Sequence, residues 1–139
     1  MRYVWQCFRQ PVSSALTLNR QEALTALATA MIAIDDEVSP LEMTALRTQL
    51  TALGIDVDAQ LLAQVQKWLQ SVDPLELFWA GVRAIEPADR ETAVKLVAKL
   101  ALADGVALVE ENDLVAVLGE TFGMNHAQIF ALVQQATHA

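Results

Sequence analysis

The chain is poor in cysteine, positive charge and long apolar runs, and each shortage excludes a class of protein. Cys7 is the only cysteine in 139 residues, so no internal disulfide forms and a zinc site is not expected. A reducing, cytoplasmic setting is therefore predicted. Nine Lys and Arg against 17 Asp and Glu give a net charge of −8, which argues against nucleic acid and anionic membranes as partners. The longest apolar segment, 23–34, is interrupted by two threonines and is too short to insert into a membrane, and no signal peptide is expected.

Prolines and glycines are also few, and most of them lie between apolar segments, where they mark helix ends. Residues 39–42 (SPLE) and 73–76 (DPLE) each place an N-cap residue, a proline at the first helical position and a glutamate at the third, which predicts a capping box. The same arrangement is offered by two further pairs, Asn19 with Glu22 and Asn125 with Gln128. Gly54 and Gly123 follow apolar periodic stretches and predict helix ends in the left-handed conformation.

The composition between these marks favours helices, because the hydrophobic residues are mainly Ala, Leu and Val and aromatics make up only 6%. No segment alternates in the way a strand does. We therefore predict an all-α fold, a compact bundle of about seven helices in a single domain 1–139, with residues 1–18 as an N-terminal extension. The predicted helices are 20–34, 40–53, 59–70, 74–85, 88–103, 109–122 and 126–137, and a further short helix is considered over 2–9.

An internal repeat emerges when the chain is shifted by 69 positions without a gap. Residues 24–56 then lie over 93–125, and matched residues fall at the turn, at the cap and at the helix end. The matches are Asp35 with Asp104, Glu42 with Glu111, and Gly54 with Gly123, and the apolar positions coincide as well. This pattern predicts that one helical hairpin occurs twice.

Acidic residues gather in the two matched turns. The first turn contains Asp35, Asp36 and Glu37 and is followed by Glu42. Calcium and magnesium prefer oxygen ligands, and the carboxylate oxygens of these residues would project from a short loop between two helices. These residues are therefore candidate metal ligands. In the second turn the candidates are Asp104 and Glu111, with the apolar run 106–109 between them. Neither turn is an EF-hand, since Pro40 and Val109 occupy its required glycine position.

The same acids have a structural interpretation. Glu42 is the third residue of a predicted capping box, and Glu110 and Glu111 suit the positive end of a helix dipole. Asp35 and Asp104 cap nothing evident, but an aspartate also stabilises a turn through its own backbone. The cation hypothesis and the purely structural hypothesis therefore both stand on the same residues.

No residue is a clear candidate for catalysis. His126 and His138 lack a Ser, Cys or Asp pattern that would make either a general base, and a hydrolase using paired carboxylates finds no further support. Trp68 and Trp79 are predicted to be core residues. The cluster of Tyr3, Trp5 and Phe8 either caps the core or docks another protein. The basic residues Arg83, Arg90, Lys95 and Lys99 are interleaved with acids and are interpreted as a solvated face.

Two segments resemble the TerB-like superfamily of bacterial tellurite-resistance and DjlA-type co-chaperone domains. They are AIDDEVSPLE at 33–42 and LADGV at 102–106, the latter followed by Glu110 and Glu111. The resemblance covers about 20–137 and implies an all-α bundle of seven helices with an internal duplication. It also implies a small non-enzymatic module that binds divalent metal through acidic turns and contacts other proteins, some of them membrane-associated.

Two hypotheses follow for function. In the first, a non-enzymatic module weakly binds calcium or magnesium at Asp35, Glu37 and Glu42, with contributions from Asp104 and Glu111, while its surface binds another protein. In the second, the chain is an interaction or scaffold domain without metal, and the acids serve only as caps and turn stabilisers. A second copy of the chain is a further candidate partner. No organic cofactor is predicted.

Overall fold

The described part of the chain is built from helices alone. The computed structural model describes residues 18–34, 39–101 and 109–138, except for the side chains of 109–113 and 136–138. Its helices are α1 Arg20–Ala33, α2 Pro40–Ala52, α3 Ala59–Ser71, α4 Pro74–Ala84, α5 Arg90–Ala101, α6 Val109–Thr121 and α7 His126–His138. The predicted all-α class and the seven predicted helices are confirmed. The short helix considered over 2–9 lies outside the described residues.

Helix α5 begins two residues later than the sequence predicts. The segment Pro87–Asp89 forms a 3₁₀ turn, in which the Asp89 N–H donates to the Glu86 carbonyl at 2.9 Å. Pro87 has no N–H to donate, and a tight turn of this kind is common where a helix starts. Arg20 at the start of α1 reaches this turn, where its Nε donates to Asp89 Oδ2 at 3.0 Å. The turn thus fixes the start of α5 beside the start of α1.

The helix starts follow from the predicted caps. Asn19 with Glu22, Ser39 with Glu42, and Asn125 with Gln128 form the predicted reciprocal bonds. At α4, Asp73 Oδ1 accepts from the N–H groups of Leu75 and Glu76. In this part of the described chain, the Glu76 carboxylate does not accept a hydrogen bond from the Asp73 N–H. The predicted box there is therefore a simple N-cap. Asp58 caps α3 by accepting from the Leu61 N–H at 2.8 Å.

Helix α1 is the centre of the bundle. Its residues 23–32 are all buried, so every face of the helix is covered, most extensively by α4 and also by α2, α3 and α5. A helix that is apolar on all sides is stable only in such a position. Thr25 and Thr29 are tolerated there because each hydroxyl donates to the carbonyl four residues earlier, both at 2.8 Å.

Small residues let α4 approach α1 closely. A Cβ atom added at Gly81 would lie 2.9 Å from Leu27 Cγ and 3.1 Å from the Ala23 carbonyl oxygen. Both distances are shorter than an ordinary van der Waals contact, which is about 3.5–4.0 Å between carbon atoms. The missing side chain at Gly81 thus lets α4 pack directly against Leu27 and the backbone of α1.

Helices α2 and α6 end in the same way, 69 residues apart. Gly54 and Gly123 have φ angles of +83° and +82°, as predicted from their left-handed role. The Gly54 N–H donates to the Thr51 carbonyl at 3.0 Å, and the Gly123 N–H donates to the Glu120 carbonyl at 2.9 Å. The next residue in each case donates to the carbonyl five positions earlier, which completes a Schellman motif.

The two predicted repeats thus share the same helix end, and their helices α2 and α6 both contain 13 residues. Their turns, 35–38 and 102–108, lie outside the described residues. The duplication of 24–56 in 93–125 and the domain boundaries therefore stay predictions.

Candidate functional site

The start of α2 contains the one predicted metal ligand whose side chain the structure describes. Ser39 Oγ accepts from the Glu42 N–H, and Glu42 Oε1 accepts from the Ser39 N–H, both at 3.1 Å. The Glu42 residue is only 9% exposed. Its carboxylate therefore already serves as a helix cap, in the way the structural interpretation predicted.

The other five candidate ligands are not tested by the structure. Asp35, Asp36, Glu37 and Asp104 lie outside the described residues, and Glu111 lies in α6 with its side chain among those left out. Among the side chains that are described, no three of the His, Cys, Asp and Glu residues lie close enough together to hold a metal ion. That search does not include these five residues, so their prediction as ligands rests on their sequence positions.

Those positions are nevertheless constrained by the helices on either side. Helix α1 ends at Ala33 and α2 begins at Pro40, so Asp35, Asp36 and Glu37 belong to a connection of six residues. Asp104 belongs to a connection of seven residues between α5 and α6. We call these segments, 34–39 and 102–108, the acidic connections. Each leads into the positive end of a helix dipole, which itself attracts carboxylates.

A further acid-lined cleft lies at the starts of α1 and α3. It has a volume of about 280 Å³ and is lined mainly by polar side chains, including Asn19, Glu22 and Asp58. Both carboxylates are engaged in caps: Glu22 Oε1 accepts from the Asn19 N–H at 3.1 Å, and Asp58 Oδ1 accepts from the Leu61 N–H. The cap at Asp58 was not predicted from the sequence, since no Glu or Gln follows it at the third helical position. The geometry assigns these acids to helix starts.

Of the four basic residues predicted to form a solvated face, Arg83 on α4 is exposed, whereas the three on α5 are half-buried. The Arg90 guanidinium lies over the Phe122 ring, 5.4 Å from its centroid, and Arg90 is half-buried. Lys95 and Lys99 are also half-buried and line a cleft against the end of α2. The prediction therefore holds for Arg83 and not for the residues of α5, because spacing along one helix does not reveal which neighbouring helix lies beside it.

The aromatic residues of α3 and α4 belong to the core, as predicted. Trp68 and Phe78 are buried, and Trp79 packs against the core while half-exposed. The rings of Phe78 and Trp79 meet edge to face, with centroids 5.7 Å apart and an interplanar angle of 83°. The cluster of Tyr3, Trp5 and Phe8 lies outside the described residues.

The role of Glu42 leads to a prediction that separates a cap from a ligand. Glu42→Gln keeps an oxygen that accepts from the Ser39 N–H, so it should lower the free energy of unfolding by less than about 1 kcal/mol, from the lost charge near the helix start. Glu42→Ala removes the bond as well and should lower it by about 1–2 kcal/mol, as for the loss of other caps. Urea denaturation of both variants measures the difference, and equal losses would contradict the capping role.

None of the helices within the described ranges combines the length and apolar character that a transmembrane span requires.

Comparison with known proteins identifies the family. A family model described as "Tellurite resistance protein TerB" matches residues 21–134, which include all of the helices except the first residue of α1 and the last four of α7. No curated protein and no solved structure matches the chain. The match covers most of the chain and agrees with the seven-helix arrangement and with the resemblance seen at 33–42 and 102–106. The chain therefore belongs to the tellurite-resistance protein TerB family.

Proposed function

We propose that this protein is a non-enzymatic helical module that binds another protein and weakly holds a divalent cation at its acidic connections. The ligands are Asp35, Asp36 and Glu37 in the first connection, and Asp104, with Glu111 beyond it, at the second. The observation that carries the proposal is the matched pair α2 and α6. These helices have equal lengths and begin 69 residues apart, each directly after a connection containing acids.

The ligand chemistry favours calcium and weak binding. Calcium accepts six to eight oxygen ligands and tolerates irregular loops, whereas magnesium needs a stricter octahedron and keeps more of its water. A six-residue connection with three carboxylates supplies only part of such a shell, and water completes it. We therefore expect a Kd on the order of 10⁻⁴ to 10⁻³ M, the range of weak calcium modules.

Glu42 is best left out of this ligand set. Its Oε1 atom accepts from the Ser39 N–H and the residue is almost fully buried, so joining a cation shell would disturb the start of α2. The first site then depends on Asp35, Asp36 and Glu37 alone.

Protein binding is proposed at the same end of α2. Leu41 is 54% exposed although it is large and apolar, and it follows the first acidic connection by two residues. A partner that covers Leu41 would contact α2 four residues after Glu37 in the sequence. One exposed leucine is a small contact, so Leu41 forms the edge of a larger contact surface. Because acidic residues precede α2, the partner supplies complementary positive charge.

The cation part is tested by calorimetric titration of the full chain with calcium, magnesium and manganese. We expect saturable binding that is tightest for calcium or manganese, and a melting temperature raised by roughly 3–6 °C at a cation concentration ten times the Kd. The triple variant Asp35→Asn, Asp36→Asn, Glu37→Gln should lose most of the heat, while the matched control Glu42→Gln should retain it. A flat trace at millimolar metal with an unchanged melting temperature would remove the cation from the proposal.

A second candidate is an interaction domain without metal. The capping bonds of Glu22, Glu42 and Asp58 favour it, because each of these carboxylates has a structural task that needs no cation. The flat titration just described is the result that this candidate predicts. Capture of the same partner with and without a chelator would then show that recognition is independent of metal.

A further inference from the structure

Beyond the acidic connections, the cleft between α2 and α5 carries the opposite charge. It has a volume of about 260 Å³ and is bounded by the last turn of α2 and the outer face of α5. Lys95, Lys99, Thr92 and Gln49 supply its polar groups, and Leu53 and Leu96 supply apolar surface. Within the described ranges, no carboxylate lines it.

This concentration of positive charge is unusual in a chain with a net charge of −8. Lys95 and Lys99 are one helical turn apart and therefore project from the same face of α5. Both are half-buried, and neither forms an ion pair with a residue of the described ranges. Two neighbouring ammonium groups repel each other, and partial burial weakens the screening of that repulsion by water.

The helix dipole explains only part of this arrangement. Lys99 lies in the last turn of α5, where a cation is stabilised by the negative helix end. Lys95 lies one turn earlier, and the effect of the dipole falls off within the last turn. An anion bound between the two ammonium groups would offset their repulsion.

The apolar surface indicates what kind of anion fits. Leu96 is buried, Leu53 is half-buried, and both line the cleft, which therefore offers an apolar contact beside the two charges. Gln49 and Thr92 add neutral hydrogen-bonding groups. The volume lies just below the range of about 300–1,000 Å³ typical of small-molecule sites, which limits the ligand to a short body.

We infer that this cleft binds a small amphiphilic anion, a phosphate or carboxylate joined to a short apolar chain. The ammonium groups of Lys95 and Lys99 hold the oxyanion, and the apolar chain lies against Leu53 and Leu96. The inference does not depend on the proposed cation site, which lies in other segments of the chain.

The test is a titration of the isotopically labelled full chain with hexyl phosphate, followed by amide NMR. We expect saturable shifts at residues 49–53 and 92–99 with a Kd on the order of 1 mM, as for a ligand with so few atoms. Hexanol and inorganic phosphate each lack one half of the ligand and should bind more weakly. Hexanol binding as tight as hexyl phosphate, or no saturable shift at about ten times that Kd, would overturn the inference.

Matched variants place the site. The double variant Lys95→Gln, Lys99→Gln should weaken hexyl phosphate binding by about three- to tenfold, the effect of two partly screened ion pairs. The control Lys67→Gln changes an exposed lysine on α3 and should leave the Kd unchanged. Equal binding by the double variant, with a melting temperature that shows it is folded, would also overturn the inference.

A vesicle arm identifies the source of the anion. Phosphatidylcholine vesicles with and without phosphatidylglycerol are mixed with the parent chain and the double variant. Lysine-dependent binding only to the anionic vesicles assigns the head group to a lipid. Binding of hexyl phosphate without vesicle binding assigns it to a free amphiphile.

Discussion

Replacing Phe78 with alanine should lower the free energy of unfolding by about 3–5 kcal/mol. The side chain is 1% exposed, belongs to the core cluster, and lies edge to face with the Trp79 ring. Truncation loses the transfer free energy of the ring and leaves a cavity that two rigid helices cannot close. Since single domains of this size are stable by only about 5–15 kcal/mol, the variant should unfold at a clearly lower urea concentration.

The matched control is the same substitution at Phe130. This phenylalanine is 64% exposed on α7, so Phe130→Ala should change the free energy of unfolding by no more than about 0.5 kcal/mol. Similar losses for both variants would show that the face of α4 bearing Phe78 is not the core.

Replacing Leu27 with alanine should lower the free energy of unfolding by about 2–5 kcal/mol. Leu27 is fully buried in the middle of α1 and its Cγ and Cδ2 atoms lie against Gly81. No other part of the bundle can move into the space, because α1 is covered on all sides. Urea denaturation again gives the value.

The contact between Leu27 and Gly81 is tested by a double-mutant cycle. Gly81→Ala alone should destabilise by about 1–3 kcal/mol, since the new methyl group meets Leu27 and the overpacking outweighs the better helix propensity. In the Leu27→Ala background the new methyl group enters space that the leucine has vacated. The double variant should therefore lose about 0.5–3 kcal/mol less free energy of unfolding than the sum of the two single variants. Strict additivity would mean that α1 and α4 do not touch at this point.

The helix boundaries were predictable because they depend on hydrogen bonds between residues that are close in sequence. Ser39 with Glu42, and Gly54 with its left-handed φ, act through hydrogen bonds to residues at most five positions away. Such bonds need no knowledge of the tertiary fold. Where α5 begins was less predictable, since Pro87 suits either the first turn of an α-helix or a 3₁₀ turn.

The position of α1 at the centre could not be read from the sequence. An apolar segment of this length suits any buried helix, and the threonines at 25 and 29 suggested interruptions. Their hydroxyls bond within the helix, which removes the cost of burying them, but which helices surround α1 depends on contacts between distant segments.

In the candidate site, too, features set by local bonds were predictable and features set by helix packing were not. The capping role of Glu42 was one of two open interpretations, and the structure shows its bonds to Ser39. The basic cleft was missed, because the distance between Lys95 and Lys99 along α5 gives no sign that Leu53 of α2 lies beside them. Sequence spacing places residues on one face of a helix, and only packing decides what that face meets.

Binding of a divalent cation at the acidic connections, and not at the caps, can be located directly. Its most direct test is amide NMR of the full chain during titration with manganese, whose unpaired electrons broaden the signals of nearby nuclei. We expect the amides of 34–39 and 102–108 to broaden first, while those beside Glu22 and Asp58 stay sharp. Broadening centred on those two caps, or spread evenly over the chain, would rule out a cation site at the acidic connections.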